Sequence, residues 1–175
     1  MCALRSGDCE AFDTLFDRYR DPVWRFFRRR VADAGRCEEL VQDVFVALYQ
    51  NVRRYEPRSS VRSYVFGIAF NMLHAERRRL LRDAREPLVD EPSAAPDPAA
   101  ALWVRDALAS LDAGAREIVM LREYEQLSYQ EIAELLRLPL NTVRSRLFRA
   151  RMDLKAALLR QTGDALQVAA RTGNR

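Results

Sequence analysis

Apolar residues recur every three or four positions along two blocks of the chain, and this period predicts amphipathic helices. In the N-terminal block, the first apolar face contains Ala11, Phe12, Leu15, Phe16 and Tyr19. The pair Asp21-Pro22 predicts a break or the start of a new helix, because proline lacks the backbone N–H that a helix interior uses. A second apolar group follows the pair and contains Val23, Trp24, Phe26 and Phe27. With the segments after it, this block is predicted to hold three or four helices.

A longer amphipathic helix is predicted over Glu39–Tyr55. Its inward positions are Leu40, Val44, Ala47, Leu48 and Val52, and its outward positions are Glu39, Gln42, Asp43 and Gln50. The run Glu56–Ser60 contains proline and serine and predicts a turn. The chain then resumes as a helix over Val61–Arg85, which is apolar at its start and strongly basic at its end.

The basic end of that helix has two interpretations. Its arginines are Arg77, Arg78, Arg79, Arg82 and Arg85. Cations are favoured at a helix C-terminus by the dipole, so a solvated helix end is one interpretation. The other is a strip that follows phosphates, in which Tyr64, Phe66 and Phe70, with Asn71 nearby, predict binding of single-stranded DNA.

The segment Leu127–Arg151 is predicted to form two helices joined by a tight turn. Ser128 followed by Glu131 is a capping box, in which a hydroxyl and a carboxylate bind backbone N–H groups at a helix start. Pro139 disfavours a continuous helix, so the first helix is expected to end near Arg137 and the second to begin just after Pro139. The positions expected to face inward are Ile132, Ala133, Leu135 and Leu136, then Val143, Leu147, Ala150 and Leu154.

This layout is typical of a helix-turn-helix DNA reader. The remaining faces of the second helix carry residue types that contact phosphates, base edges and thymine methyl groups, namely Thr142, Arg144, Ser145, Phe148 and Arg149. The alternative is a solvated basic helix in an ordinary bundle. Residues 101–138 carry four arginines against seven acids, whereas residues 139–160 carry six basic residues against one acid. A basic end that coincides with the second helix favours a polyanion-binding surface.

One break in composition divides the chain. Residues 86–101 contain Pro87, Pro92, Pro96 and Pro98, which are expected to exclude a regular helix and to form a linker. The linker is acidic, and it has two interpretations: an inert spacer, or a negative tether that follows a positively charged channel in a partner. The length of 175 residues leaves room for two small domains, and a net charge of +4 is only mildly basic.

Several classes of protein are excluded by the motifs that the sequence lacks. Cys2, Cys9 and Cys37 have no CxxC spacing and His74 is the single histidine, so no disulfide framework, metal site or other cofactor is expected. No stretch approaches the ~20 apolar residues of a membrane span, and no signal-peptide core is present, so we expect a cytoplasmic protein without membrane contact. No phosphate loop or nucleophile elbow is present, and an enzyme is not expected.

The two blocks, in this order, resemble the extracytoplasmic-function group of sigma-70 type RNA polymerase sigma factors. GDCEAFDTLFDRYRDPVWRF resembles the opening helices of the family's domain 2, CEELVQDVFVALYQ its polymerase-docking segment, and VRSYVFGIAFNMLHAERRR its promoter-melting helix. SLDAGAREIVMLREYEQLSYQEIAELLRLPLNTVRSRLFRAR resembles domain 4. The resemblance implies an all-α fold with two small helical domains joined by a Pro-rich linker. The C-terminal domain would be a helix-turn-helix of the winged-helix-like, sigma region 4 type.

The resemblance also implies a function, that of an alternative sigma factor. Such a protein binds core RNA polymerase and directs promoter recognition and transcription initiation, and the family commonly adds an anti-sigma factor as a partner. Domain 2 is expected over residues 1–86, a flexible acidic linker over 87–100, domain 4 over 101–160 and a tail over 161–175. The residues alone leave two other classes open. One is a stand-alone helix-turn-helix regulator with an N-terminal dimerisation or sensing domain, and the other is a helical adaptor without DNA contacts.

Three sets of contact residues are implied by the resemblance. Binding of core polymerase is implied for Glu39, Leu40, Gln42, Asp43 and Phe45. Recognition of the minus-10 element, where a flipped base must be captured, is implied for Ser59, Ser60, Val61, Tyr64, Asn71, His74, Arg77 and Arg78. Recognition of the minus-35 element is implied for Asn141, Thr142, Arg144, Ser145, Phe148 and Arg149.

The sequence departs from the family's usual residues at several positions. In the minus-10 region these are Val61, Tyr64, Gly67 and Ala75, where relatives often have an aromatic, a tryptophan, a basic and an acidic residue. In domain 4, Arg137 and Asn141 stand where glycines are usual. Arginine holds that turn only if the backbone avoids or tolerates a positive φ, which asparagine accepts more easily.

Overall fold

The computed structural model describes residues 9–52, 60–83 and 98–172. These residues form seven helices and contain no strand. The N-terminal helices are α1 (Cys9–Arg28), α2 (Ala34–Asn51) and α3 (Val61–Asp83). The C-terminal helices are α4 (Pro98–Ala109), α5 (Ala113–Glu123), α6 (Tyr129–Leu136) and α7 (Leu140–Thr172). The chain divides into two units, Met1–Ser93 and Ala94–Arg175. The predicted all-α fold is confirmed, and within the described ranges no β wing accompanies the helix-turn-helix.

Helix α1 passes through Pro22 without a break, so the predicted break at Asp21-Pro22 is wrong. An interior proline removes a backbone bond and costs about 3 kcal/mol. Burial on both sides of the proline offsets this cost, since one face of α1 buries Leu15, Tyr19, Val23, Phe26 and Phe27. Helix α1 packs against α2 and α3, so tertiary packing overrides the local signal for a break.

Helix α2 begins at Ala34 rather than at the predicted Glu39, because Asp33 caps it. The Asp33 carboxylate accepts a hydrogen bond from the N–H of Gly35 at 2.9 Å. Four of the five predicted inward positions are buried, namely Leu40, Val44, Leu48 and Val52, and Ala47 is half-buried. Tyr55 and the turn residues before Ser60 lie outside the described residues.

The first turn of α2 buries a thiol. Cys37 has no exposed surface, and its S–H donates to the backbone carbonyl of Val31 with 3.6 Å between Sγ and O. Burial raises the pKa of the Cys37 thiol to about 11. The group is therefore a protonated donor at neutral pH, and it joins α2 to the middle of the α1–α2 loop.

Helices α6 and α7 form the predicted helix-turn-helix. The capping box is confirmed, because the N–H of Ser128 donates to Glu131 Oε2 at 2.8 Å and the N–H of Glu131 donates to Ser128 Oγ at 3.2 Å. Helix α6 ends at Leu136 and α7 begins at Leu140, as predicted. Buried residues of this unit include Ile118, Leu121, Leu127, Ile132, Ala133, Val143, Leu147 and Ala150. The other predicted inward positions, Leu135, Leu136 and Leu154, are half-buried.

The helices at both ends of the C-terminal unit extend beyond the predicted bounds of domain 4. Of the predicted linker 87–100, residues 87–97 lie outside the described residues. Pro98 is the first residue of α4, where its missing N–H removes no hydrogen bond from the helix. The prediction that Pro98 excludes a regular helix is therefore wrong. At the other end, α7 continues as helix to Thr172 and takes in most of the predicted tail 161–175.

Candidate nucleic-acid interface and partner surface

The N-terminal half of α7 presents a basic face directed away from the core. Its buried residues Val143, Leu147 and Ala150 orient the helix. The exposed residues are Asn141, Arg144, Ser145, Phe148 and Arg149, and Thr142 is half-buried beside them. Phe148 is 66% exposed, although burial of an aromatic ring away from water is energetically favourable. An apolar ring between arginines can contact a thymine methyl group while the guanidinium groups reach phosphates and guanine edges.

Two neighbouring residues change the outline of this face. Met152 is 47% exposed and lies one turn beyond Phe148, so it extends the apolar part of the surface. The spacing of four residues from Phe148 is a signal that sequence reasoning overlooked. Arg151 is engaged within the fold, because its Nη2 lies 2.5 Å from Glu123 Oε1 and its Nε 3.2 Å from the same oxygen. This bond raises the pKa of Arg151 and ties α7 to α5.

The turn before α7 contains a left-handed residue. Arg137 ends α6 with φ 54° and ψ 44°, and its N–H bonds back to the carbonyls of Ala133 and Glu134. The N–H of Leu138 also donates to Ala133 O at 2.9 Å. The backbone therefore tolerates the positive φ at Arg137, at a cost of about 1 kcal/mol relative to glycine.

The loop before α6 is held by Arg122. Its Nη1 donates to the carbonyl of Leu127 at 2.8 Å, and its guanidinium lies 5.1 Å from the centroid of the Tyr129 ring. Gln126, between these contacts, has φ 56°. These contacts place Ser128 where it caps α6, and α6 in turn packs against α7.

Helix α3 carries an exposed polar stripe along one side. Its members recur at helical spacing from the half-buried Tyr64 through the exposed Asn71, Arg78 and Arg82. His74 and Arg77 are half-buried beside the stripe, and the His74 ring lies 4.3 Å from the ring of Phe70. The expectation that Phe66 and Phe70 stack on DNA bases is wrong, because both are buried on the opposite face with Ala69 and Leu73.

The start of α3 contains the remaining predicted minus-10 residues. Ser60 is exposed, and its Oγ accepts a hydrogen bond from the N–H of Ser63 at 3.1 Å, so it caps the helix. Val61 is half-buried. Ser59 lies outside the described residues.

A buried carboxylate joins α2 to α3. Glu76 is 3% exposed and binds two guanidinium groups at once. Arg36 donates to it through Nε at 3.0 Å and Nη2 at 2.8 Å. Arg79 donates through Nε at 3.1 Å and Nη2 at 2.7 Å. Arg36 also pairs with Glu39 at 2.6 Å, so the network continues to the exposed face of α2.

The Glu76 network has electrostatic consequences for the basic run of α3. Hydrogen bonds from Arg79 and then from Arg36 hold the pKa of Glu76 at about 2, well below its ordinary value. The bond to Glu76 also raises the pKa of Arg36. Arg79 is thereby paired within the fold. Among the described arginines of the run, Arg78 and Arg82 are exposed without this pairing, and Arg85 lies outside the described residues. No sequence signal indicates this pairing, because the two residues are 40 positions apart.

The outer face of α2 is acidic at one end and apolar at the other. Glu39, Gln42 and Asp43 are exposed, and Val46 and Tyr49 are 53% and 62% exposed on the turns that follow. Of the predicted polymerase contacts, Leu40 and Phe45 are instead each 3% exposed and belong to the core. Phe45 packs against Phe16 of α1 with ring centroids 4.7 Å apart. These two side chains therefore hold α2 in place beneath its polar face.

A groove between α1 and α2 borders this polar face. It is lined by Phe16, Arg20, Asp21, Trp24, Glu38, Val41 and Gln42. No helix in the described part of the chain is long and apolar enough to cross a membrane. Over the same residues, no group of three or more histidine, cysteine or acidic side chains is arranged to hold a metal ion.

Comparison with protein families gives two matches in the order of the two units. Residues 15–83 match Sigma-70 region 2, and residues 101–154 match Sigma-70, region 4. The ECF RNA polymerase sigma-E factor of Haemophilus influenzae is 30% identical over 170 residues, which cover 85% of this chain and 87% of that protein. The RNA polymerase sigma factor CarQ of Myxococcus xanthus is 32% identical over 142 residues, which cover 77% of this chain and 82% of that protein.

Solved structures show the same architecture. CnrH, in complex with the cytosolic domain of CnrY, superposes with a TM-score of 0.63 at 26% identity and covers 90% of this chain and 93% of that chain. The sigma factor RpoE of Bartonella quintana, in complex with the anti-sigma factor NepR, has a TM-score of 0.68 at 22% identity, with 85% and 97% covered. The second likeness concerns the fold alone.

The matched regions and the exposed face of α7 define a helical transcription initiation factor of the sigma-70 type. The chain belongs to the extracytoplasmic-function group of RNA polymerase sigma factors. Its function is accordingly that of an alternative sigma factor, and it is a DNA-binding initiation factor rather than an enzyme. The predicted family and function are confirmed, and the region 2 match disfavours a stand-alone regulator.

Proposed function

We propose that this chain binds core RNA polymerase and directs it to promoters that contain a minus-35 and a minus-10 element. The exposed face of α7 carries the proposal, because Phe148 is 66% exposed there and lies one helical turn after Arg144 and next to Arg149. That face suits the major groove of the minus-35 element, where arginine binds guanine edges and an aromatic ring contacts thymine methyl groups. Asn141, Thr142 and Ser145 add polar contacts near the helix start.

The stripe on α3 is assigned to the minus-10 element. Tyr64 and Asn71 offer an aromatic ring and an amide to an unstacked base, and Arg78 offers charge to the adjacent backbone. The half-buried His74 and Arg77 border the same stripe. Ser60 and Val61 at the start of the helix, with Ser59 before them in the sequence, complete the assignment.

The polar face of α2 is assigned to core polymerase. Glu39, Gln42 and Asp43 are exposed and suit a basic partner surface, while Leu40 and Phe45 hold the helix from beneath. The exposed Val46 and Tyr49 extend this face with apolar area. We assign residues 1–86 to domain 2 and residues 101–160 to domain 4, with α4 extending the latter back to Pro98.

An anti-sigma factor is proposed as a further partner. It would bind the α2 face and the adjacent groove and so compete with core polymerase for them. The exposed Val46 and Tyr49 support this, because apolar side chains on a polar surface favour a protein partner. The cytoplasm is the proposed location, where core polymerase and promoter DNA are both present.

The proposed function is tested by run-off transcription from a promoter library with purified protein and bacterial core RNA polymerase. We expect transcripts that depend on the protein and share two upstream elements. Core enzyme alone is the control. Absence of both a transcript and a complex with core enzyme, together with binding of the protein alone to duplex DNA, would support a stand-alone regulator instead.

Charge reversal on α2 is expected to weaken binding to core polymerase. Asp43→Arg should lower the affinity by about 10-fold or more, because an attractive charge becomes a repulsive one at the interface. Thermal unfolding should change little, since Asp43 is exposed. Asp17→Arg, an exposed site on α1, is the matched control and should bind core enzyme normally. Equal affinities for the two variants, measured by fluorescence anisotropy, would remove Asp43 from the interface.

A further inference from the structure

The turn of the helix-turn-helix places an arginine where the backbone favours glycine. Arg137 has φ 54° and ψ 44°, and the bonds that end α6 come from its backbone N–H alone. Glycine or asparagine would make the same backbone bonds with less strain. The side chain of Arg137 is exposed, and among the described residues no carboxylate pairs with its guanidinium. Within the described residues, no ion pair of this guanidinium therefore offsets the strained backbone.

The position of Arg137 is next to the DNA-reading helix. Leu140, the first residue of α7, follows three positions later, so the two Cα atoms are at most about 11 Å apart. In a helix-turn-helix the second helix enters the major groove while the first crosses the sugar-phosphate backbone. With α7 in the groove, the C-terminal end of α6 and the turn that leads into α7 would be within reach of the phosphates that flank the groove.

The charge of α6 makes this arginine distinctive. The helix contains Glu131 and Glu134 and no basic residue, and Arg137 is the only basic residue between positions 123 and 143. Both acids are engaged within α6, Glu131 with the N–H of Ser128 at 2.8 Å and Glu134 with Gln130 Nε2 at 3.0 Å. A cation at the end of an acidic helix would offset its repulsion from a phosphate backbone, and Arg137 is placed to supply it.

We propose that Arg137 is a phosphate-binding residue that anchors α6 on the DNA beside the minus-35 element. This inference rests on the proposed function of α7 as the minus-35 reader. Phosphate contacts fix the register of a recognition helix without reading sequence. Arg137 therefore contributes affinity to every promoter that the protein recognises and does not change the preferred bases.

The test compares Arg137→Gly with the wild-type chain in holoenzyme. The probe is a labelled promoter duplex selected by wild-type holoenzyme, and binding is measured over a series of KCl concentrations. The affinity of the glycine variant should fall roughly 3- to 10-fold, and the slope of log K against log salt should shrink by about 0.9. Base preference in a selection experiment should be unchanged. Arg137→Lys keeps the charge and should retain most of the slope.

Thermal unfolding of the free chain shows whether a weaker DNA affinity results from loss of the phosphate contact or from a less stable fold. The glycine variant should unfold at an equal or higher temperature, because the left-handed strain is relieved. Arg137→Asn, which also accepts this conformation and has no charge, should bind like the glycine variant. Wild-type affinity and salt slope in both variants would overturn the proposal. Failure of the wild-type protein to form any promoter complex with core enzyme would instead contradict the proposed function.

Discussion

Replacement of Glu76 by glutamine is expected to destabilise the N-terminal unit by about 2–4 kcal/mol. The substitution keeps the shape of the side chain and removes the one charge that Arg36 and Arg79 share. Loss of one partner from a fully buried ion pair costs about 3–5 kcal/mol, and the value here is lower because Arg36 and Arg79 are 27% and 49% exposed. Urea unfolding followed by Trp24 fluorescence in a Trp103→Phe background measures the N-terminal unit by itself.

The same effect should depend on pH. The folded protein holds the pKa of Glu76 at about 2, below the ordinary value of 4.5, so the folded state binds this proton more weakly than the unfolded state. The stabilisation is therefore complete above about pH 5 and is lost as the pH falls towards 2. The difference in unfolding free energy between wild type and Glu76→Gln should shrink over that range. A difference that stays constant down to pH 2.5 would show that the charge of Glu76 is not what stabilises the fold.

Glu39 supplies the matched control. It binds the same Arg36 at 2.6 Å, but its side chain is 65% exposed. Solvent screening reduces such a pair to about 0–0.5 kcal/mol, so Glu39→Gln should have almost no effect on unfolding. If the two glutamine variants are equally stable, burial of Glu76 is not the source of the difference.

Replacement of Arg149 by alanine is expected to weaken promoter binding by holoenzyme and to relax the sequence preference at one position of the minus-35 element. A bidentate arginine contact to guanine is worth about 1–3 kcal/mol, which corresponds to a roughly 5- to 150-fold loss of affinity. Stability should change little, because Arg149 is exposed. The measurement is a selection from randomised minus-35 sequences, followed by affinity determination on the winning duplex.

Arg160 provides the control on the same helix. It is exposed and lies eleven residues beyond Arg149, about 16 Å along the axis. Arg160→Ala should therefore leave the selected sequence unchanged. A uniform loss of affinity over all sequences in Arg149→Ala would identify Arg149 as a phosphate contact and would contradict base recognition by this residue.

The helix-turn-helix was predictable because its signals act over a few residues. Ser128 and Glu131 bond to each other's backbone, and Pro139 acts on the turn directly beside it. Pro22 is an equally local signal, yet the helix continues through it because buried aromatic side chains on both sides stabilise α1. Local signals therefore predict an element reliably only where packing does not oppose them.

Residue type was a weaker guide than helical phase for the candidate sites. Phe66 and Phe70 were assigned to DNA by their aromatic character, but their spacing with Leu73 places them on the buried face of α3. The Glu76 network could not be predicted, because its arginine on α2 is 40 residues away and the run that contains Glu76 resembles a solvated helix end. Pairings of this kind arise only when the fold brings two helices together.

The buried thiol of Cys37 makes this protein suited to site-directed labelling. With a pKa of about 11, only roughly one molecule in ten thousand carries the thiolate at pH 7, and maleimide dyes react with that form. After Cys2 and Cys9 are replaced by serine, cysteines introduced at the exposed Ala75 and Ala113 would be the sites that take up dye. Energy transfer between the two dyes would then follow the distance between the two units as core polymerase is added, with the native Cys37 left in place.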